Sequence, residues 1–218
     1  FIEILRAFAR NETGAILARS RVTGLENLER ALGAGRGVIL FSAHFGNWEW
    51  LPLLLRDRLG RRPASVARPM DNPLLEELVR GFREAVGSRI LSKQGSLPAI
   101  LRLLAAGEIV FLLIDQNVVP REGVFVDFFG RPAATITTAA RLRLKKGIPL
   151  VPAFLHYEGE AIVLEILPEV QPAGADVAAL TQELTALIEG QVRRFPEQWL
   201  WFHDRWKTRP QGEAHAIS

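Results

Sequence analysis

Short apolar runs alternate with longer amphipathic stretches along most of this chain. The runs at 38–43, 65–68, 109–114, 150–156 and 161–166 are short and mostly rich in β-branched or aromatic residues, and they predict strands. The stretches at 25–32, 47–59, 73–86, 97–106, 133–146 and 177–195 carry apolar residues at helical intervals and predict helices. Asp71-Asn72-Pro73 followed by Glu76 and Glu77 marks a helix start: a capping side chain, proline at the first position, then acids. Gly107 and Gly147 stand where helices end. Apolar strands between amphipathic helices imply an α/β fold whose mainly parallel central sheet is covered by helices. With no internal repeat and no linker, residues 1–218 read as a single domain.

Composition narrows the chemistry. Apolar residues make up 48% of the chain, enough for a substantial core. The absence of cysteine excludes thiolate nucleophiles, thiolate zinc sites and disulfides. The formal charge is only +3, but arginine greatly outnumbers lysine, which suits recognition of phosphate or carboxylate. No apolar run is long enough to span a membrane. The chain begins at Phe1, as a fragment would, so a preceding membrane anchor is left open. Residues 1–8 have the pattern of an amphipathic helix, either a core helix or one lying on a membrane.

His44-Phe45-Gly46-Asn47-Trp48-Glu49 is the richest segment for chemistry. On one continuous helix residues five apart point about 140° away from each other, so His44 and Glu49 meet only if the strand ends near Ser42 and His44 lies in the connecting turn. Gly46 would then relax the backbone, Asn47 would cap the next helix, and Glu49 would fall in its first turn, where the macrodipole favours an anion. A carboxylate on one ring nitrogen fixes the tautomer and frees the other nitrogen as a general base. The alternative is a buried histidine with a merely structural partner. His203-Asp204 is a competing pair, set among Trp199, Trp201 and Trp206.

A second polar cluster, Asp115-Gln116-Asn117, follows the apolar run at 109–114 and reads as either a site or a turn. Residues 123–130 place three phenylalanines between glycines, either as a strand packing its aromatics inward or as the lining of an apolar channel. Gly33-Ala34-Gly35-Arg36-Gly37 precedes a strand, so it is a turn and no dinucleotide fingerprint. There is no phosphate-binding loop, no Gly-x-Ser-x-Gly elbow, and no helical metal-ligand spacing among the four histidines.

Taken in order, these segments resemble the bacterial lipid A biosynthesis (late, or secondary) acyltransferases of the lysophospholipid and glycerolipid acyltransferase superfamily. His44 to Glu49 is similar to the superfamily's His-x4-Asp/Glu motif. Residues 68–75, Phe82-Arg83, 115–117, 128–135, 147–152 and 196–210 follow as further blocks in the family's order. Lys93 stands where many relatives have an arginine that contacts phosphate.

The resemblance implies a glycerolipid acyltransferase-like fold and transfer of a fatty acyl chain from a thioester to a hydroxyl of a membrane phosphoglycolipid such as a lipid A precursor. His44 would be the general base and Glu49 would orient it. Arg83 would stabilise the oxyanion or position acceptor phosphate, and Asn47, Arg68, Lys93, Asp115, Gln116 and Asn117 would bind substrate. The 125–129 region would shelter the acyl chain. No cofactor or metal is implied beyond acyl-carrier protein, or coenzyme A, as the thioester carrier. The implied location is the cytoplasmic face of the inner membrane, with the membrane surface as partner and no nucleic acid. Related branches acylate phosphatidylinositol mannosides or lysophospholipids, and a non-catalytic lipid-binding module or a thioester hydrolase are the rival classes.

Overall fold

Successive residues of a strand face opposite sides of a sheet, and here that alternation separates two cores. In the computed structural model, which describes residues 6, 7, 10, 12–92 and 95–211, strand β2 (Val38–Ser42) is fully buried. Val38 and Leu40 enter one hydrophobic cluster, whereas Ile39 and Phe41 enter the other. Strand β5 (Ile109–Leu113) repeats the division, with Ile109 and Phe111 on one side and Val110 and Leu112 on the other.

These strands lie side by side in a seven-stranded sheet of order β1-β9-β8-β2-β5-β3-β4. The remaining members are β1 (Ser20–Thr23), β3 (Ala64–Ala67), β4 (Arg89–Ser92), β8 (Leu150–Glu158) and β9 (Ala161–Ile166). Strands β8, β2, β5, β3 and β4 run parallel; β9 is antiparallel to β8 and β1 is parallel to β9. The sheet is therefore mainly parallel with a reversed edge.

Helices cover both faces. After the short α1 (Thr13–Ala18), helices α2 (Leu25–Gly33), α3 (Leu51–Leu59) and α4 (Pro73–Ala85) contribute Leu28, Leu51, Leu54 and Phe82 to the first cluster. Helices α5 (Leu97–Ala105), α6 (Thr138–Lys146) and α7 (Val177–Arg194) supply Ile100, Leu104, Ala139 and Leu142 to the second. The α7 stripe of Leu180, Leu184, Ile188 and Val192 is the four-residue repeat of one helix face. Among the described residues, no helix is long and apolar enough to cross a membrane.

Helix starts follow local chemistry. Asn72 accepts from the amides of Leu74 (3.0 Å) and Leu75 (3.3 Å), with Pro73 at the first position, as the sequence predicts. Asp176 caps α7 through the Ala179 amide at 2.7 Å. Asn47, by contrast, makes no capping bond: residues Trp48–Trp50 form a 3₁₀ turn, and the α-helix starts only at Leu51.

The predicted helix at 133–146 is corrected. Residues Arg131–Ile136 form β7, an antiparallel hairpin with β6 (Gly123–Phe128), and the helix begins at Thr138. The connecting pair, Phe129 (φ 57°) and Gly130 (φ 72°), has the double positive φ of a tight hairpin turn whose twist matches the strands. Cross-strand pairing thus overrides the helix propensity of Ala133 and Ala134. The 1–8 segment lies largely outside the described residues.

Candidate active site

Two adjacent parallel strands deliver the central pair. Ser42 of β2 and Leu113 of β5 are the last register partners, and the chain runs two residues beyond each strand end, to His44 and Asp115. The Ile114 amide donates to the Ser42 carbonyl at 3.1 Å, which extends the ladder to this point. This is the carboxyl edge of the sheet, where ligands of open α/β folds bind.

The Asp115 carboxylate is buried and accepts from three groups. His44 Nδ1 lies 2.8 Å from Oδ1, while the His44 amide (2.9 Å) and the Trp199 indole (2.9 Å) both donate to Oδ2. Burial alone would raise the Asp115 pKa. The bonds from the His44 ring, the Trp199 indole and the His44 amide, together with the attraction of His44, outweigh it and hold the group below its ordinary value. A charged carboxylate only accepts, so Nδ1 of His44 carries the hydrogen and Nε2 presents its lone pair. The side-chain amide of Gln116 stands 3.4 Å from that Nε2. The indole ring of Trp48 closes edge-on against the imidazole, with centroids 4.7 Å apart.

The histidine loop is clamped from the C-terminal segment. Gly46 donates to the Gln198 carbonyl at 2.7 Å, and Leu200 donates to the His44 carbonyl at 3.0 Å. Gly46 has φ 55°, and a Cβ there would lie 2.1 Å from the Leu155 carbonyl oxygen, so only glycine fits between this loop and β8.

Glu49 does not orient His44. Its buried carboxylate is held by Arg83 of α4, with Nε 3.1 and 3.0 Å from the two oxygens and Nη2 2.5 Å from Oε1. Burial works against the Arg83 charge, but the hydrogen bond and attraction of Glu49, aided by Glu76, raise its pKa above the ordinary value. The predicted partner thus ties the 3₁₀ turn to α4, and the acid from the neighbouring strand takes the place beside the imidazole. Arg83 faces Glu49 rather than an open anion site.

The other predicted residues divide. Asp115 and Gln116 lie against His44, one on each ring nitrogen. Asn117 is a clasp: its side chain donates to the Thr208 hydroxyl (3.0 Å) and accepts from the Thr208 amide (3.1 Å), while its own amide donates to His203 Nε2 (2.8 Å). Asn47 is buried beside the turn. Arg68 sits one residue past β3 on the same sheet edge, exposed and bonded to Asp71 at 3.4 Å. Lys93 lies outside the described residues. Phe128 is buried against Trp199 and Trp206, whereas Phe125 and Phe129 are half-buried.

His203, the competing candidate, is a supporting residue. Burial lowers its pKa; the attraction of Asp115 opposes this, while His44 and Arg205 push the same way as burial. Arg205 is buried with 1% exposure. It donates to the Ala134 carbonyl at 2.7 Å and to the Thr135 hydroxyl, and burial lowers its pKa to about 10 despite the pull of Asp115. The C-terminal segment is thereby pinned to the β6–β7 hairpin behind the site. Among the described residues no cluster of histidine and acids could hold a metal ion.

Residues 1–208 match the family described as bacterial lipid A biosynthesis acyltransferase. The chain belongs to that family. Curated acyltransferases agree: the chain is 31% identical over 198 residues to the lipid A biosynthesis lauroyltransferase of Escherichia coli, covering 88% of this chain and 63% of that protein. It is 30% identical over 204 residues to the palmitoleoyltransferase of the same organism, covering 88% of this chain and 63% of that protein. To the phosphatidylinositol mannoside acyltransferase of Mycobacterium tuberculosis it is 28% identical over 189 residues, covering 85% of this chain and 59% of that protein. The chain thus spans about three-fifths of the length of these relatives.

Within this family's fold, Trp199 and Arg205 are the residues that spacing could not find. Nothing in the local pattern links the C-terminal tryptophan to a histidine loop at the other end of the chain. Their only signal was membership of the C-terminal block 196–210.

Proposed function

We propose that the chain is the transfer centre of an O-acyltransferase acting on a membrane glycolipid. The reading rests on one observation: a histidine whose Nδ1 is fixed by a buried, triply hydrogen-bonded aspartate and whose Nε2 is left for a substrate hydroxyl. His44 Nε2 takes the proton of the acceptor hydroxyl as the oxygen attacks the thioester carbonyl. Asp115 stabilises the imidazolium that forms. The tetrahedral intermediate collapses, the C–S bond breaks, and the imidazolium returns the proton to the leaving thiolate. No acyl-enzyme is required. Gln116, already beside Nε2, rotates aside to admit the hydroxyl.

The acyl donor in this reading is acyl-carrier protein, or coenzyme A, and no further cofactor takes part. The acceptor is a lipid A precursor or a phosphatidylinositol mannoside-type glycolipid at the cytoplasmic face of the inner membrane. Arg68 and the 115–117 loop frame its polar part.

The test is incubation with labelled acyl-carrier protein, with and without each acceptor. Acyl transfer that falls about 10²–10⁴-fold in a folded His44→Ala variant supports the reading. Release of free fatty acid with no transfer identifies a hydrolase, and neither product identifies a binding module; either result rejects it.

A further inference from the structure

Among the described residues six large hydrophobic side chains are exposed: Leu74, Leu78, Leu97, Val119, Trp201 and Phe202. Their placement is not scattered. Leu74 opens α4 just beyond the end of β3, and Leu78 follows one turn later on the same helical stripe. Leu97 opens α5 beyond the end of β4. Val119 lies in the loop that leaves β5 past Asp115. Trp201 and Phe202 follow Leu200, whose amide bonds the His44 carbonyl. All six therefore lie at or within a turn of the edge where the parallel strands end, around His44. The connections at the opposite ends of those strands, 34–37, 60–63 and 147–149, expose none; they carry Arg36, Arg61 and Arg62.

Isolated exposed apolar residues need no explanation, but their collection on one rim does. Phe202 is 98% exposed and Leu74 78%, so both project from the surface with little cover. Trp201 holds its indole N–H on the Pro196 carbonyl at 2.7 Å, so its polar edge is satisfied and its apolar face can be buried. The loops 68–72, 116–122 and 200–211 between these residues expose four cations, Arg68, Arg121, Lys207 and Arg209, beside Asp71, Glu122 and Asp204. Apolar tips interleaved with exposed arginine and lysine side chains match a phospholipid interface, with acyl region and phosphate layer at successive depths.

We infer that this rim is a membrane-docking surface that seats the His44 opening against an anionic phospholipid leaflet, so that a lipid-borne hydroxyl reaches Nε2 without leaving the bilayer. The inference deepens the acyltransferase reading and rests on it for the purpose of docking, but its test needs no turnover. The purified chain is floated with phosphatidylethanolamine–phosphatidylglycerol vesicles and with phosphatidylcholine vesicles, at low and high salt. The wild-type chain and His44→Ala bind the anionic vesicles alike, and salt weakens both. The double variant Leu74→Ser/Phe202→Ser, checked for an unchanged melting temperature, loses about a hundredfold in vesicle affinity, about tenfold per side chain. A second double variant, Leu78→Ser/Trp201→Ser, loses a comparable amount and covers the case in which the first does not fold. Undiminished binding by the folded variants, or no vesicle binding by the wild type, overturns the inference. So does a self-associated wild type that the substitutions convert to monomer without any vesicle binding, since the rim would then face a second copy. Failure of acyl transfer in a chain that still binds vesicles through the rim rejects the proposed reaction and leaves the docking surface intact.

Discussion

Replacing Asp115 by asparagine tests which acid governs His44. The carboxylate receives two donors at Oδ2, the His44 amide and the Trp199 indole, both 2.9 Å away, and the imidazole at Oδ1, 2.8 Å away. An asparagine has only one acceptor atom. The backbone amide and the indole can only donate, so the amide oxygen must face them, and its NH₂ group then points at Nδ1. The imidazole is the one partner able to change role. It shifts its hydrogen to Nε2, accepts at Nδ1, and can no longer take a proton from a hydroxyl. The packing survives because every buried group keeps a partner, so the loss is in rate: about 10²–10⁴-fold in acyl transfer. Nitrogen-15 spectra of the imidazole, assigned by difference from His44→Gln, report the tautomer directly. Wild-type turnover by Asp115→Asn, or a hydrogen still on Nδ1, refutes the assignment.

Glu49→Gln gives the contrasting result: it leaves the His44 tautomer unchanged but leaves the largely buried Arg83 without its charge partner, lowering stability in urea by about 3 kcal/mol. Gly46→Ala places a methyl group 2.1 Å from the Leu155 carbonyl oxygen at φ 55° and costs more than about 3 kcal/mol in thermal or urea unfolding. Gly35→Ala, at φ 70° with nothing within 4 Å, costs about 1 kcal/mol. For pH, the folded pKa of Asp115 lies below its unfolded value. Its contribution to stability is therefore complete above the unfolded value of about 4 and is lost as pH falls from there through the folded pKa. Acid titration of Asp115→Asn lacks that part of the loss.

The difference between Glu49 and Asp115 shows what the sequence could and could not carry. Strands β2 and β5 were legible because each is an unbroken apolar run buried on both faces, and Asn72-Pro73 was legible because a cap acts within three residues. The edge strands β1 and β4 were not: four half-exposed residues leave too little pattern to read. The same locality produced the wrong partner for His44. An acid five residues away is adjacent in the sequence, whereas Asp115 becomes adjacent only once β2 and β5 pair in register at Ser42 and Leu113. Both acids lie at the end or in the wake of a strand, but only the pairing decides which one meets the imidazole. Neighbouring parallel strands bring their following residues level with each other, so the first polar residue beyond one strand end is a candidate partner for the histidine beyond the next. By that argument Asp115 was the better choice for a loop base, and Glu49, held within the turn that follows, the better choice for a tie to the covering helix.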